Sequence, residues 1–294
     1  KELKDLITKE LLDECCVGGK LILTGDFDNT NELCLGMSEE TIEAFAVIAA
    51  YVRDNDVTYL DMSGLKGVKQ LISISPAVSG KTEEYNLRFS SVINEGSTVR
   101  GAGSKLETFI GSEDLVNITR TFEGCVDLVS VSGLKNVTHA DYVFAACSKL
   151  SKTPDLPNVL SLKYSFSNTS ITELKYESVK EIAINNCMEL TVIDCPNAVK
   201  LEEYVFSGGM PKLTDIYLKS KSFELVYNTA FDHLIRGQVT LHLDASQKGN
   251  IDVTNNEWTP KKSNGDSAVD GGKSVPVDLL KAVFCGEEQI IPKI

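Results

Sequence analysis

The side chains that could carry out acid–base, nucleophilic or metal chemistry are numerous in this chain, but they do not fall into motifs. The sequence has 3 His, 8 Cys and 42 Asp and Glu residues among its 294. A hydrolase or transferase needs a nucleophile beside a base, or two carboxylates in one pocket. The histidines, His139, His233 and His242, share no motif with one another or with a cysteine. We therefore predict surface or structural histidines and no catalytic residue.

Two segments match ligand-binding loops only in part. In the polar loop that contains Asp26, an EF-hand would need Gly at Asn31 and Glu at Met37. The Gly272-Lys-Ser triplet ends like a Walker A loop, but Ser267 stands where the first Gly of that loop belongs. We therefore expect neither a metal site nor a cofactor.

A repeat in the sequence indicates which strands and turns position these side chains. Phe-x-x-Cys begins at Phe122 and begins again at Phe144, 22 residues later (122 to 144). Leading apolar residues recur at similar intervals, at Leu106, Leu128, Leu150, Ile171, Leu190 and Leu213. The pattern predicts a short strand followed by a tight irregular return, stacked on its copies. In such a stack, Cys125, Cys147 and Cys187 are small buried packing residues.

The best repeat also carries a family resemblance. The segment Cys125 to Cys147 reads Cys-x-x-Leu-x-x-Val-x-x-Leu-x-x-Val-x-x-Ala-x-x-Val-Phe-x-x-Cys and resembles the leucine-rich repeat of BspA-like bacterial surface proteins. The resemblance implies an α/β fold, a right-handed leucine-rich-repeat solenoid with short parallel strands. We expect a helical and strand cap over 1–56, the solenoid over 57–235 with its clearest repeats over 106–231, and a β-rich cap over 236–294.

A solenoid of this kind binds partners on the exposed face of its sheet. Side chains alternate along a strand, so the second and fourth residues after each leading residue point outward. The charged and aromatic members of this set are our candidate binding residues: Lys152, Glu173, Lys175, Asp194, Asp215 and Tyr217. The set lacks the aromatic stripe of a glycan platform and the basic stripe of a polyanion binder. A solvated face without a ligand is the alternative.

Composition limits the class of partner. The 29 basic and 42 acidic residues give a net charge of −13, which argues against nucleic acid or an anionic membrane as the main partner. No apolar run reaches the roughly 18 residues that predict a transmembrane helix. We expect a monomer at the cell surface or secreted, with its signal peptide removed.

The sequence therefore predicts a non-catalytic extracytoplasmic binding or adhesion module. Its sheet face would contact a protein or a polysaccharide, including one from a host. One alternative is a passive spacer in a surface assembly. The other is a hydrolase whose two carboxylates come from distant repeats. The redox state of five cysteines stays open: Cys15, Cys16, Cys34, Cys195 and Cys285.

Overall fold

The computed structural model of the chain is a mixed α/β fold with mostly parallel sheets. It forms two compact units, Lys1–Asn158 and Val159–Ile294. The residues that it describes are 6–27, 32–34, 36–80, 82–90, 104–231, 233–234, 238–252, 255, 257–269, 273, 275–276 and 280–285. Asn31 of the polar loop and Gly272 of the Walker-like triplet lie outside them.

The helices of the first unit begin at polar caps. Helix α1 spans Lys9–Cys15, and helix α2 spans Glu39–Asp54. The Ser38 side chain accepts a hydrogen bond of 3.1 Å from the backbone N–H of Thr41, one of the donors left open at a helix start. A third helix, α3, is the single turn Pro76–Ser79. The apolar side of α2, with Phe45 among its fully buried residues, joins the core of this unit.

The main sheet of the first unit is parallel. The strands of this unit, in chain order, are β1 (Lys20–Asp26), β2 (Glu32–Cys34), β3 (Met37–Ser38), β4 (Tyr59–Lys66), β5 (Ser73–Ile74), β6 (Tyr85–Asn86), β7 (Thr108–Ile110) and β8 (Ser130–Ser132). The main sheet has the order β1-β4-β7-β8 with all neighbours parallel. Two antiparallel pairs, β2 with β3 and β5 with β6, lie beside it in the chain.

The second unit contains two parallel sheets and one small antiparallel sheet. Its strands are β9 (Ser161–Lys163), β10 (Glu173–Lys175), β11 (Glu181–Asn185), β12 (Val192–Asp194), β13 (Lys200–Ser207), β14 (Asp215–Leu218), β15 (Leu225–Val226), β16 (Val239–Asp244), β17 (Ile251–Asp252), β18 (Glu257–Trp258), β19 (Val275–Pro276) and β20 (Leu280–Cys285). One parallel sheet has the order β10-β12-β14-β16-β20, and the other β15-β13-β11-β9. The antiparallel sheet is β17-β18-β19.

The second parallel sheet corrects the prediction of an irregular return. Strands β9, β11, β13 and β15 alternate along the chain with the strands of the first sheet, so in this unit the return segments are themselves paired strands. Apolar residues in these segments supply the buried side of the sheet, as Leu162, Ile182 and Leu201 show. The sequence pattern missed them because two strands per repeat leave too few residues for a visible alternation.

The predicted strand register is confirmed in five of the six repeats. In each of these five strands the central residue is buried and its two neighbours are less buried, as expected from alternation. The central residues are Phe109, Val131, Leu174, Ile193 and Ile216. The sixth repeat is different, because residues 152–154 form no strand. Pro154 has no N–H to donate to a ladder, which disfavours a strand at this position.

Phenylalanines and cysteines fill the core, as the repeat predicts. Phe122 and Phe144 are fully buried and stack with ring centroids 5.7 Å apart. Cys147 donates its thiol hydrogen to the backbone oxygen of Phe122 at 3.1 Å, and the buried Cys187 donates to that of Phe166 at 2.9 Å. A small apolar residue with a weak donor therefore satisfies a backbone carbonyl in each case.

The last part of the second unit is organised around Trp258. The indole is fully buried and meets the Phe223 ring edge to face, with centroids 5.2 Å apart. Its Nε1 donates to the side-chain oxygen of Gln247, 3.2 Å away, in a short 3-10 helix, Ala245–Asn250. The Gln247 amide nitrogen in turn donates to the Lys221 carbonyl at 2.9 Å. This buried polar group is therefore satisfied on both sides.

Candidate functional site

The candidate site is the polar face of the sheet that contains β10, β12, β14 and β16. We define the polar face by its charged and aromatic side chains: Glu173, Lys175, Asp194, Asp215, Tyr217 and His242. Each projects from the side opposite to the buried central residue of its strand, because successive side chains of a strand point to opposite faces. Five of the six predicted binding residues therefore lie on one surface.

The parallel register arranges these side chains in two rows. In one row, Lys175 pairs with Asp194, which pairs with Tyr217, which pairs with His242. In the other row, Glu173 pairs with Val192, and Val192 pairs with Asp215. Neighbouring strands are about 4.8 Å apart. A ligand about 10 Å long would thus contact three strands at once.

Three side chains of the polar face form one connected group. The imidazole Nε2 of His242 lies 2.7 Å from Oδ1 of Asp215. The ring of His242 is parallel to that of Tyr217, with centroids 3.9 Å apart and an interplanar angle of 8°. The ammonium of Lys219 lies 5.1 Å from the centroid of the Tyr217 ring, within the range of a cation–π contact. These contacts fix the aromatic pair without any ligand.

The opposite end of the face is an ion pair. Lys175 Nζ lies 2.7 Å from Oε2 of Glu173, which is two residues earlier on β10. Both side chains are half exposed, at 52% and 53%, so the pair contributes little to stability. The hydrogen bond to Glu173 raises the pKa of the Lys175 ammonium, and the charges of Glu173 and Asp194 act in the same direction.

Asp194 lies between these two groups and differs from the other carboxylates of the face. Its Oδ1 is buried, and among the described residues it has no hydrogen-bond partner. A buried oxygen without a donor is unfavourable, because the water lost on burial is not replaced. The neighbouring position in the row is Lys175, whose ammonium is hydrogen-bonded to Glu173. Asp194 is therefore the carboxylate of this face that makes no side-chain hydrogen bond or ion pair among the described residues.

Lys152, the remaining predicted binding residue, belongs to the first unit and lies outside its strands. It is exposed and lies on a bend in the first unit, in the repeat that has no strand. Proline at position 154 accounts for the missing strand. The prediction that Lys152 projects from the sheet is therefore wrong.

The sequence predicts only a surface or structural role for His242, whereas the structure places it on the polar face. The column of leading residues was followed only as far as Leu213. If Gln238 is taken as the next leading residue, Thr240 and His242 occupy the second and fourth positions after it, which point outward. The longer spacing between Leu213 and Gln238 hid this step of the repeat.

A second polar group lies on the other parallel sheet of the unit. Glu181 on β11 binds Lys163 on β9 at 2.7 Å and Lys200 on β13 at 3.2 Å. Burial by itself would raise the pKa of the Glu181 carboxyl, but the two lysine hydrogen bonds outweigh it and lower that pKa. This bridge joins three neighbouring strands and so stabilises the sheet.

Neither a metal site nor a membrane span is found within the described residues. Nowhere in this part of the chain do three His, Cys, Asp or Glu side chains come close enough to hold a metal ion. Nor does any helix within it combine the length and the apolar character of a membrane span. Elsewhere in the first unit, His139 is exposed, with Nδ1 lying 2.8 Å from the hydroxyl of Thr138.

Comparisons with known proteins agree with the repeat. Residues 119–236 match the family model "BspA type Leucine rich repeat region" in six copies. The crystal structure of the pneumococcal vaccine antigen PcpA is similar at a TM-score of 0.40 and 19% sequence identity, over 50% of this chain and 38% of that chain. The chain thus spans well under half of the length of that protein. No curated protein matches the chain significantly. The chain carries a BspA-type leucine-rich repeat region, as the spacing of its phenylalanines and cysteines predicts.

Proposed function

We propose that the polar face is a non-catalytic binding surface through which this protein contacts a protein or polysaccharide outside the cytoplasm. The observation that carries the proposal is the register of β10, β12, β14 and β16. It brings charged and aromatic side chains from four repeats onto one exposed surface. Leucine-rich repeats present extended surfaces of this kind to their partners.

The geometry of the face suits recognition. The Tyr217 and His242 rings are held parallel, and Asp215 fixes the edge of the imidazole. Side chains that are already ordered lose little conformational entropy when a partner binds. A solvated face without a ligand would not need this order, so the arrangement favours the binding module over a passive spacer.

The wider architecture that we propose follows the sequence expectation. It is a right-handed solenoid over 57–235 with a helical cap over 1–56 and a β-rich cap over 236–294. Buried terminal aromatic groups such as Trp258 support the second cap, since an end repeat must hide its apolar side. The BspA-type repeat supports a location at the cell surface or in the medium. We also propose that the protein acts as a monomer.

A hydrolase is the competing interpretation, because Asp–His pairs also occur in catalytic triads. A triad needs a hydroxyl or thiol on the imidazole nitrogen that does not face the carboxylate. Among the described residues, the only hydrogen-bond partner of the His242 imidazole is Asp215. We therefore propose that the pair orients the imidazole ring for binding and does not activate a nucleophile.

The test is a binding screen of the purified chain against immobilised matrix proteins and polysaccharides. A triple variant, Lys175→Ala, Asp194→Ala and Tyr217→Ala, should lose the binding shown by the wild type. A matched control, Lys135→Ala, Asp127→Ala and Val129→Ala, changes three partly or fully exposed residues of the first unit and should retain it. Equal binding by both variants would place the contact surface elsewhere.

A further inference from the structure

We infer that the polar face recognises a basic side chain, an arginine of a protein partner, at Asp194 beside Tyr217. The inference rests on the proposed function, and it names the chemistry of the partner. Asp194 and Tyr217 occupy neighbouring positions of one row, on β12 and β14. An incoming guanidinium would therefore meet a carboxylate and an aromatic ring together.

The pairing of charges on the face singles out Asp194. Two of its three carboxylates are already paired, because Glu173 binds Lys175 and Asp215 binds the His242 imidazole. Asp194 makes no side-chain hydrogen bond or ion pair within the described residues, and its Oδ1 is buried there without a donor. Asp194 as a whole is only partly buried, so a planar guanidinium, which offers five N–H donors, can reach its other carboxylate oxygen.

The Tyr217 ring has a cation beside it. Its one face is covered by the imidazole of His242, 3.9 Å away, and a lysine ammonium lies 5.1 Å from its centroid. The ring therefore already holds a cation in the free protein. Lys219 is exposed, so an arginine could take its place at the ring. Arginine also stacks on aromatic rings better than lysine does.

The net negative charge of the chain also favours a basic partner. A net charge of −13 attracts basic partners and repels acidic ones at long range. This attraction is general, so it cannot by itself select Asp194. The experiment must therefore separate a local contact from the overall charge.

The probe is N-acetyl-L-arginine amide, titrated into the isotope-labelled chain in 150 mM salt while backbone amide shifts are followed by NMR. Its neutral isostere, N-acetyl-L-citrulline amide, is the ligand control. Asp194→Asn should weaken arginine binding about fivefold, the factor for roughly 1 kcal/mol. Asp127→Asn removes the same charge from a residue that pairs with Lys149 in the first unit, and it should leave the affinity unchanged.

The expected result is a saturable shift confined to β12 and β14 that citrulline does not produce. Equal effects of Asp194→Asn and Asp127→Asn would show an attraction to net charge alone and would overturn the inference. Shifts from the neutral sugar maltotriose at these strands, without shifts from arginine, would also overturn it but would leave the proposed binding function standing. Unchanged spectra away from β12 in Asp194→Asn show that the variant is folded.

Discussion

The rings of Tyr217 and His242 lie parallel on neighbouring strands, with centroids 3.9 Å apart and planes inclined by 8°. The register that pairs these residues places one ring directly beside the other. Asp215, two residues before Tyr217, then holds the edge of the imidazole at 2.7 Å. One strand therefore supplies both contacts that orient His242, and the candidate site is ordered in the free protein.

The buried, stacked phenylalanines Phe122 and Phe144 should contribute most to the stability of the first unit. Phe144→Ala is expected to lower the free energy of unfolding by about 3–5 kcal/mol, because it leaves a cavity beside Phe122. Urea denaturation followed by circular dichroism measures this change. Val129→Ala, at a side chain that is 52% exposed, should cost less than about 0.5 kcal/mol. Similar costs for the two variants would contradict the buried column.

The core thiols should be unreactive in the native state. Burial raises the pKa of Cys125 and Cys187 to about 11 and that of Cys195 to about 12. Since the thiolate is the nucleophile, iodoacetamide at pH 8 should modify the exposed Cys15 first and the buried thiols only after denaturation. Peptide mass spectrometry reports each site separately. Fast native labelling of Cys125 would show that its repeat is open.

Glu181 should contribute a pH-dependent part of the stability of the second unit. Its lowered carboxyl pKa means that the contribution is complete above about 4.5, the ordinary value, and is lost as the pH falls through the lower folded-state pKa. Glu181→Gln should therefore cost about 1 kcal/mol at pH 7, and the difference from wild type should shrink in stronger acid. Thermal melts from pH 7 to 3 measure it. The exposed Glu177→Gln is the control, and a cost that stays constant with pH would refute the role of the charge.

Gly133 should tolerate no side chain. Its φ is +75°, and a Cβ at this position would come within 2.4 Å of the Gly111 backbone oxygen. Gly133→Ala is expected to cost more than about 2 kcal/mol, since strain and a backbone clash add. Gly18→Ala has a similar φ of +60° with nothing within 4 Å, so it isolates the strain alone. Equal melting temperatures of the two variants would show that the repeats do not approach as closely as the structure indicates.

Much of the fold could be predicted because large apolar residues recur at regular intervals in the repeat. The leading residues fixed which strand positions point outward, and five strands confirm that register. Ser38 caps α2, and Glu39 and Glu40 lie in its first turn, which is a sequence pattern typical of a helix start. These features depend on local pattern and spacing alone.

The remainder depends on pairing between strands, which a single sequence does not display. The bridge of Glu181 to Lys163 and Lys200 requires the register of three strands. His242 joins Asp215 only because β16 pairs with β14 in that register. Lys152 fails for a local reason, because a proline interrupts one copy of an otherwise regular repeat.

Carboxyl footprinting with a partner from the binding screen tests the polar face most directly. Carbodiimide and glycine ethyl ester label exposed carboxylates, and mass spectrometry locates each label. With the partner bound, labelling should fall at Glu173 and Asp194 and stay unchanged at Glu113 and Asp127 of the first unit. Protection of Glu113 and Asp127, with undiminished labelling of Glu173 and Asp194, would contradict a binding role for the polar face.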